Sequence, residues 1–439
     1  MEHVSPGSSR LAILTCAVSA SGILSAQTTI TFQGNGDGST DNQSAFNSAA
    51  ATLSGSGGGT IHIPAGTYAH SGSVTFGSGS NVLCDLGAVI KATTTTQAFI
   101  FTGSNSGVKD CRFVSAATGT GTGDTAPAIV SNGCQTCSAT AIDIQGSAGD
   151  GFLIEGASTT GIQLKGGSVT AVPSNGIHVT TGAHGVVVEE VQISSPGADC
   201  VAVFSVAADG SQVHDVVLSR NKCQSAGSNG IQLTGGTHSR IIENAVDNPA
   251  LHAIVVRNLN GTDTNIPDTI DVSGNTISNQ ANVAYYAIGL DSTQNTTVSS
   301  NVIRNSNGIY AWGISSRLII SDNKLNTISG DGINFWNTVQ EFTVMGNSMF
   351  ALQQSCVKMT GAIDGVVAHN ACWDARLNGV KTWGAYHLEN VQSVCPTFTG
   401  GSTASGSNFV NVPGNASDPA ATKVVNPSID ASGNQCQTL

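Results

Sequence analysis

The sequence predicts an all-β fold: a single-stranded right-handed parallel β-helix of ten or more coils with a short N-terminal capping helix. Three observations carry that prediction. First, ten segments between Asp150 and Trp383 repeat one pattern: a small or polar residue, Gly or a small substitute, aliphatic, variable, aliphatic. They are DGFLI at Asp150, NGIHV at Asn175, DCVAV at Asp199, NGIQL at Asn229, HAIVV at His252, YAIGL at Tyr286, NGIYA at Asn307, DGINF at Asp331, SCVKM at Ser355 and NGVKT at Asn378. Intervals of 21 to 34 residues give one coil each.

Second, an Asn recurs in a separate register at 221, 244, 275, 301, 323, 347 and 370. In VSSNVI, ISDNKL and VMGNSM it follows a strand where the chain must turn, so stacked amides there can hydrogen-bond from coil to coil. Asn also tolerates the left-handed backbone that a tight turn uses. Third, composition disfavours a layered globule: charged residues are 10% of the chain, Gly numbers 53, and no long helical period follows residue 53. A length of 439 residues allows two or three domains, but the unbroken repeat argues for one elongated unit.

Taken in order, residues 11–26 (LAILTCAVSASGILSA) are apolar, preceded by Arg10 and too short to span a bilayer. They read as a secretory signal cleaved near Ala26, which makes 1–26 a leader. In residues 35–68, Asp41 is placed to cap a helix over about 41–53 whose Ala45, Phe46, Ala49, Ala50 and Leu53 share one face. That helix plugs the open end of the coils, where strand edges and core meet water. The β-helix then runs over 27–391, and a Pro-, Gly- and Ser-rich tail over 392–439 packs on or caps it.

Cysteine and charge bound the setting. Removing Cys16 with the leader leaves 11 − 1 = 10 Cys, an even number suited to an oxidising compartment. Cys134 and Cys137 form an isolated Cys-x-x-Cys, either a local disulfide or two thiols. A net charge of −12 without a basic run argues against nucleic acid and anionic membranes as partners. The expected protein is secreted or extracellular, free of the membrane after leader cleavage, and monomeric. Asn42, Asn260, Asn295 and Asn415 lie in glycosylation sequons.

The order Gly-Asp-Gly, Asp, helix, Gly-Gly, Pro-x-Gly-x-Tyr in residues 35–68 resembles the opening segment of the pectate-lyase-like β-helix superfamily. A narrower resemblance appears in PSNGIHV, GADCVAV and KCQSAGSNGIQL over 173–236. These are similar to three consecutive coils of polygalacturonases, the family 28 glycoside hydrolases, which run Asn-Thr-Asp-Gly, Gly-Asp-Asp-Cys and Gly-His-Gly. The resemblance implies a Cys200–Cys223 disulfide. It also shows departures: Asn175 and Ala198 stand at two of the family's Asp positions, Asn229 at its His, and only Asp199 and the basic Arg257 remain.

Inverting hydrolysis needs a protonated acid and a separate base carboxylate. Asp150 and Asp199 share one column two coils apart, or roughly 9.6 Å at strand spacing, which makes them one candidate pair. Arg257 and Asp291, on adjacent coils of another column, are the second: a surface ion pair, or the centre of a lyase acting next to a uronate carboxylate. The outward column reads Glu155, Thr180, Phe204, Thr234, Arg257, Asp291, Trp312, Trp336, Thr360, Trp383, and its neighbour carries His178, Gln232, Tyr310, Asn334, Lys358 and Lys381. Aromatic faces beside amides and ammonium groups suit sugar rings and carboxylates. His178, His252, Tyr310, Trp312, Asn334, Trp336, Lys358, Lys381 and Trp383 are therefore the expected substrate contacts, unless the three Trp pack beneath the tail.

No cofactor is required by these motifs. Calcium stays open because Asp263, Asp268 and Asp271 lie on one excursion loop with oxygen ligands. The function expected is cleavage of an acidic, uronate-containing polysaccharide, by a hydrolase of the polygalacturonase type or a lyase. The alternative is a non-catalytic glycan-binding or surface-building β-helix.

Overall fold

A computed structural model of the chain describes residues 28–95, 98–115, 126–205, 211–258, 265–280, 282, 284–375, 386–389, 392–403 and 410–411, with side chains as far as Trp373. The strands wind into a parallel β-helix of about 13 turns. One coil is Ile231–Thr234, Thr237–Ile242 and Ala245–Asp247; the next is Ile254–Arg257, Asp268–Ser273 and Thr276–Ser278. The two pair in parallel along all three strands, with Ile231 opposite Ile254, Arg240 opposite Asp271 and Val246 opposite Ile277. Alternation puts Ile231, Leu233, Ile241 and Val246 inside, where each is at most 1% exposed. Because equivalent positions stack, the core is a set of aliphatic columns along the axis.

The predicted asparagine ladder is present. Each amide nitrogen of Asn221, Asn244, Asn275, Asn301, Asn323 and Asn347 donates to the side-chain oxygen of the next Asn at 2.8–3.1 Å. A second bond from each amide goes to a strand carbonyl of the preceding coil, as from Asn301 to Val272 at 2.9 Å. The left-handed residue is not the Asn, contrary to the sequence reading. It is the residue before it: Arg220, Glu243, Gly274, Ser300, Asp322, Gly346 and His369 all have φ between 53° and 68°. The turn thus needs a backbone in a strained region and an adjacent buried amide that fixes it.

The capping helix spans Gln43–Gly55 and so starts two residues later than expected. Asn42 occupies the cap position with its side chain turned back onto Asn35, while Asp41 accepts from the Gln43 N–H at 3.0 Å. Phe46, Ala50 and Leu53 are buried, and Phe46 stacks on Phe32 at 4.2 Å and meets Phe99 edge-on. Among the described residues four disulfides join Cys84–Cys111, Cys134–Cys137, Cys200–Cys223 and Cys356–Cys372. The coils also run past the expected boundary at 391: Gln392–Thr403 pairs with Ile363–Ala375, and Val410–Asn411 with Tyr386–Glu389. The expected leader, residues 1–26, and most of the expected tail lie outside the described residues.

Candidate functional site

Asp150, Asn175, Asp199, Asn229 and His252 lie two residues ahead of successive strands and form a second ladder, buried at its first four members. Each side chain accepts from the backbone N–H one coil on: Asn175 to Asp150 at 2.8 Å, Asp199 to Asn175 at 3.2 Å, Asn229 to Asp199 at 2.7 Å, His252 to Asn229 at 3.2 Å and Tyr286 to His252 Nδ1 at 3.1 Å. Asp150 is fully buried and its second oxygen meets His178 Nδ1 at 3.1 Å. Asp199 is 4% exposed, and burial pushes its carboxyl above the usual range against the pull of the Asn229 N–H. A substrate in a groove cannot reach a fully buried carboxylate. This places the expected Asp150–Asp199 pair in the framework rather than on a cleft, because outward-facing Leu153, Ala202 and Val255 beside it are also covered, each at most 1% exposed.

The open site lies further along the axis. His252, Tyr285, Tyr286, Tyr310, Trp312 and Trp336 line a cleft of about 400 Å³. Tyr286 and Tyr310 lie face to face at 4.0 Å and 7°, with Trp312 5.2 Å from Tyr310. The Trp312 ring leans back across the sheet to stack on His252 at 6.1 Å. Trp336 is 48% exposed, with the Lys358 ammonium 5.9 Å from its ring centroid. Four of the residues expected from the sequence therefore share one cleft: His252, Tyr310, Trp312 and Trp336. Tyr285 and Tyr286 were missed, although YAIGL puts an aromatic where the other repeats have a small or polar residue.

Several expected contacts fall elsewhere. His178, 7% exposed, is held against Asp150 and Phe204 and does not line the cleft. Asn334, at 8%, donates to Asp331 at 2.9 Å. Lys381 and Trp383 lie outside the described residues. The strand opposite Val357–Thr360 is Tyr386–Glu389, so His387 and Glu389 continue the two columns. Counting motifs failed there because the chain from Lys358 to its neighbour is longer than the spacing of NGVKT implied.

Arg257 and Asp291 are register neighbours at the cleft rim, next to Trp312 on the following coil. They form no ion pair among the described residues. Instead the Gln232 amide bridges inward, accepting from the Arg257 guanidinium at 2.7 Å and donating to Asp199 at 3.1 Å when assigned to satisfy both ends. Burial raises the Asp291 carboxyl above the usual range, opposed by the Ser292 hydroxyl, the Trp312 indole and Arg257. Burial likewise lowers His252 to about 4, so its ring is neutral near pH 7. Its Nδ1 faces both the Tyr286 N–H at 3.1 Å and the Tyr286 carbonyl at 3.3 Å.

Gly289 makes room for the platform. A methyl group there would sit 3.1 Å from the Trp312 ring and 3.3 Å from His252 Nδ1. Gly289→Ala is expected to lift the indole off His252 and to change the near-ultraviolet circular dichroism and tryptophan emission. The stability loss should lie at the low end of the roughly 1–3 kcal/mol typical of overpacking, since the ring can swing to solvent. An unchanged aromatic spectrum would contradict the packing described.

Asp263, in the suggested calcium loop, lies outside the described residues. Asp268 accepts from Asn295 and Asp271 from Arg240, and no cluster of three or more metal-ligating side chains occurs among the described residues.

No protein-family model matches the sequence, and no curated protein matches it. Solved structures do. The catalytic unit of a GH87 α-1,3-glucanase from Streptomyces thermodiastaticus aligns with a TM-score of 0.60 at 15% identity over 85% of this chain and 68% of that one. A tailspike of E. coli bacteriophage HK620, solved with a pentasaccharide, gives 0.62 at 12% over 88% and 78%. The A-module of the mannuronan C-5 epimerase AlgE6 from Azotobacter vinelandii gives 0.54 at 14% over 86% and 97%. The chain shares with these structures a right-handed parallel β-helix fold.

Proposed function

We propose that this is an extracellular β-helix protein that binds an acidic polysaccharide in the aromatic cleft and cleaves it at the rim. One observation carries the reading: Trp312 and Trp336 offer accessible ring faces on a cleft flanked by Arg257, Lys358 and a carboxyl of raised pKa, Asp291. Sugar rings stack on indoles, and uronate carboxylates pair with the cations. Asp291, held protonated to higher pH than a free carboxyl, is placed to deliver its proton to a glycosidic oxygen as general acid. Three structurally similar proteins are named for, or bound to, polysaccharides or oligosaccharides. The four disulfides support an oxidising, extracellular setting.

A second reading, glycan binding without cleavage, is favoured by the burial of Asp150 and Asp199. Hydrolysis requires a second carboxylate to activate water, and neither of these two reaches the cleft.

The test is a depolymerisation screen on pectic, alginate-like and neutral glycans, with and without calcium. It records new reducing ends and the ultraviolet absorbance of unsaturated uronates. Reducing ends alone that fall at least a hundredfold in Asp291→Asn support hydrolysis through Asp291; removing a general acid typically costs about 10²–10⁴-fold. Absorbance as well marks a lyase and moves the chemistry to Arg257. Binding with neither signal leaves the second reading; no binding removes both.

A further inference from the structure

A different face of the solenoid carries a second set of exposed groups. Its strands include Gln192–Ser194, Lys222–Gln224, Ala245–Asp247, Thr276–Ser278, Val302–Ser306, Lys324–Ile328, Ser348–Leu352 and the end of Ile363–Ala375. None of them belongs to the sheet bearing the cleft. One outward column runs Arg304, Asn326, Phe350, Trp373, each opposite the next on successive coils. Phe350 and Trp373 are 46% and 45% exposed. They are unusual here, because most of the chain's phenylalanines lie in the core.

Charge on this face runs against the rest of the protein. The chain has 28 acidic and 16 basic residues. Yet from Gln192 to Trp373 the outward positions of this sheet hold Lys222, Arg304 and Lys324 against a single carboxylate, Asp247. Asp247 is already engaged by Ser278 and Asn279. All three cations are exposed, and none has an ion pair among the described residues. Elsewhere Lys165, Arg220, Arg240 and Arg317 each pair with a carboxylate. Exposed aromatic faces in line with uncompensated cations, at one coil per step, suit an extended anionic polymer of rings.

We propose that this sheet is a second binding surface for an acidic polysaccharide, separate from the aromatic cleft. Phe350 and Trp373 stack on its sugar rings, while Arg304 and Lys324 take its carboxylates or sulfates. Binding here anchors the protein on the polymer whether or not the cleft cleaves it, so the inference does not rest on the catalytic reading.

The experiment is affinity electrophoresis of the full chain in gels containing polygalacturonate, dextran or a DNA duplex. Trp312→Ala/Trp336→Ala removes the cleft platform, and salt-sensitive retardation by polygalacturonate is expected to persist in that variant. Adding Arg304→Gln/Lys324→Gln should then weaken it roughly tenfold, two exposed charge contacts together being worth about that factor. Phe350→Ala/Trp373→Ala, an independent surface pair, should do the same. Retardation unaffected by both pairs would overturn the proposal, as would complete loss on altering the cleft alone. Equal retardation by DNA would replace it with a general anion surface, and equal retardation by dextran would remove the role of charge.

Discussion

Replacing Asn301 with alanine is expected to destabilise the solenoid by about 3–5 kcal/mol. Asn301 is fully buried, and its amide serves four partners. Its oxygen accepts from the Asn275 N–H at 2.9 Å and the Asn275 amide at 3.0 Å; its nitrogen donates to Val272 O and Asn323 Oδ1, both at 2.9 Å. Alanine keeps none of these. At least two buried groups, the Asn275 N–H and Val272 O, lose a partner without gaining water, and each such loss costs about 1–3 kcal/mol. The turn adds to this, because left-handed Ser300 immediately before is held by that same network. Asn326→Ala, on an exposed Asn one coil away, is the control and should stay within about 0.5 kcal/mol. Urea denaturation of the two variants decides the matter. A loss below about 1 kcal/mol for Asn301→Ala, the cost of a single ordinary hydrogen bond, would mean that the ladder is not a main source of stability.

The ladder also shows what kind of information the sequence carried. Periodic features were legible because a solenoid converts a sequence interval into a spatial neighbour: the spaced Asn residues became stacked amides, and Tyr310, Trp312 and Trp336 became one cleft. What the intervals could not convey was how far a side chain reaches or what covers it. Trp312 belongs to the column of Asp291, yet its ring crosses a bare Gly289 to touch His252 two coils back. His178 and Asn334 point outward by alternation and are still buried. Asp150 and Asp199 have the residue type and spacing of a catalytic pair, but backbone N–H groups of the next coil occupy them, as they occupy Asn175 and Asn229. At Lys381 and Trp383 the interval itself misled, since the strand that follows Lys358 in the sheet is Tyr386–Glu389.

Stability is expected to rise by up to about 3 kcal/mol between about pH 4 and pH 6.5, and His252 is the main cause. Burial lowers its pKa in the folded chain to about 4, against 6.5 when unfolded. Between those values the unfolded state binds the proton and the folded state does not, so unfolding takes up protons and stability increases with pH. That fall, from 6.5 to about 4, corresponds to roughly 3 kcal/mol. His70 acts in the same direction: beneath the capping helix it is 1% exposed, with Phe46 at 6.0 Å and Phe99 at 6.4 Å, and burial lowers its pKa too. Asp199 and Asp291 act in the opposite direction. Their folded pKa values are raised, so they lose stability as pH climbs above 3.8, which opposes the imidazoles. Urea midpoints at about pH 5 and pH 7, on either side of the unfolded imidazole value, provide the check for the unaltered chain and for His252→Asn. The substituted amide cannot titrate but can still accept from the Tyr286 N–H, so the variant should be relatively more stable at the lower pH and flatten the profile. A slope identical in both proteins would mean that His252 already carries its proton in the folded cleft, and the neutral ring assigned to that wall would have to be given up.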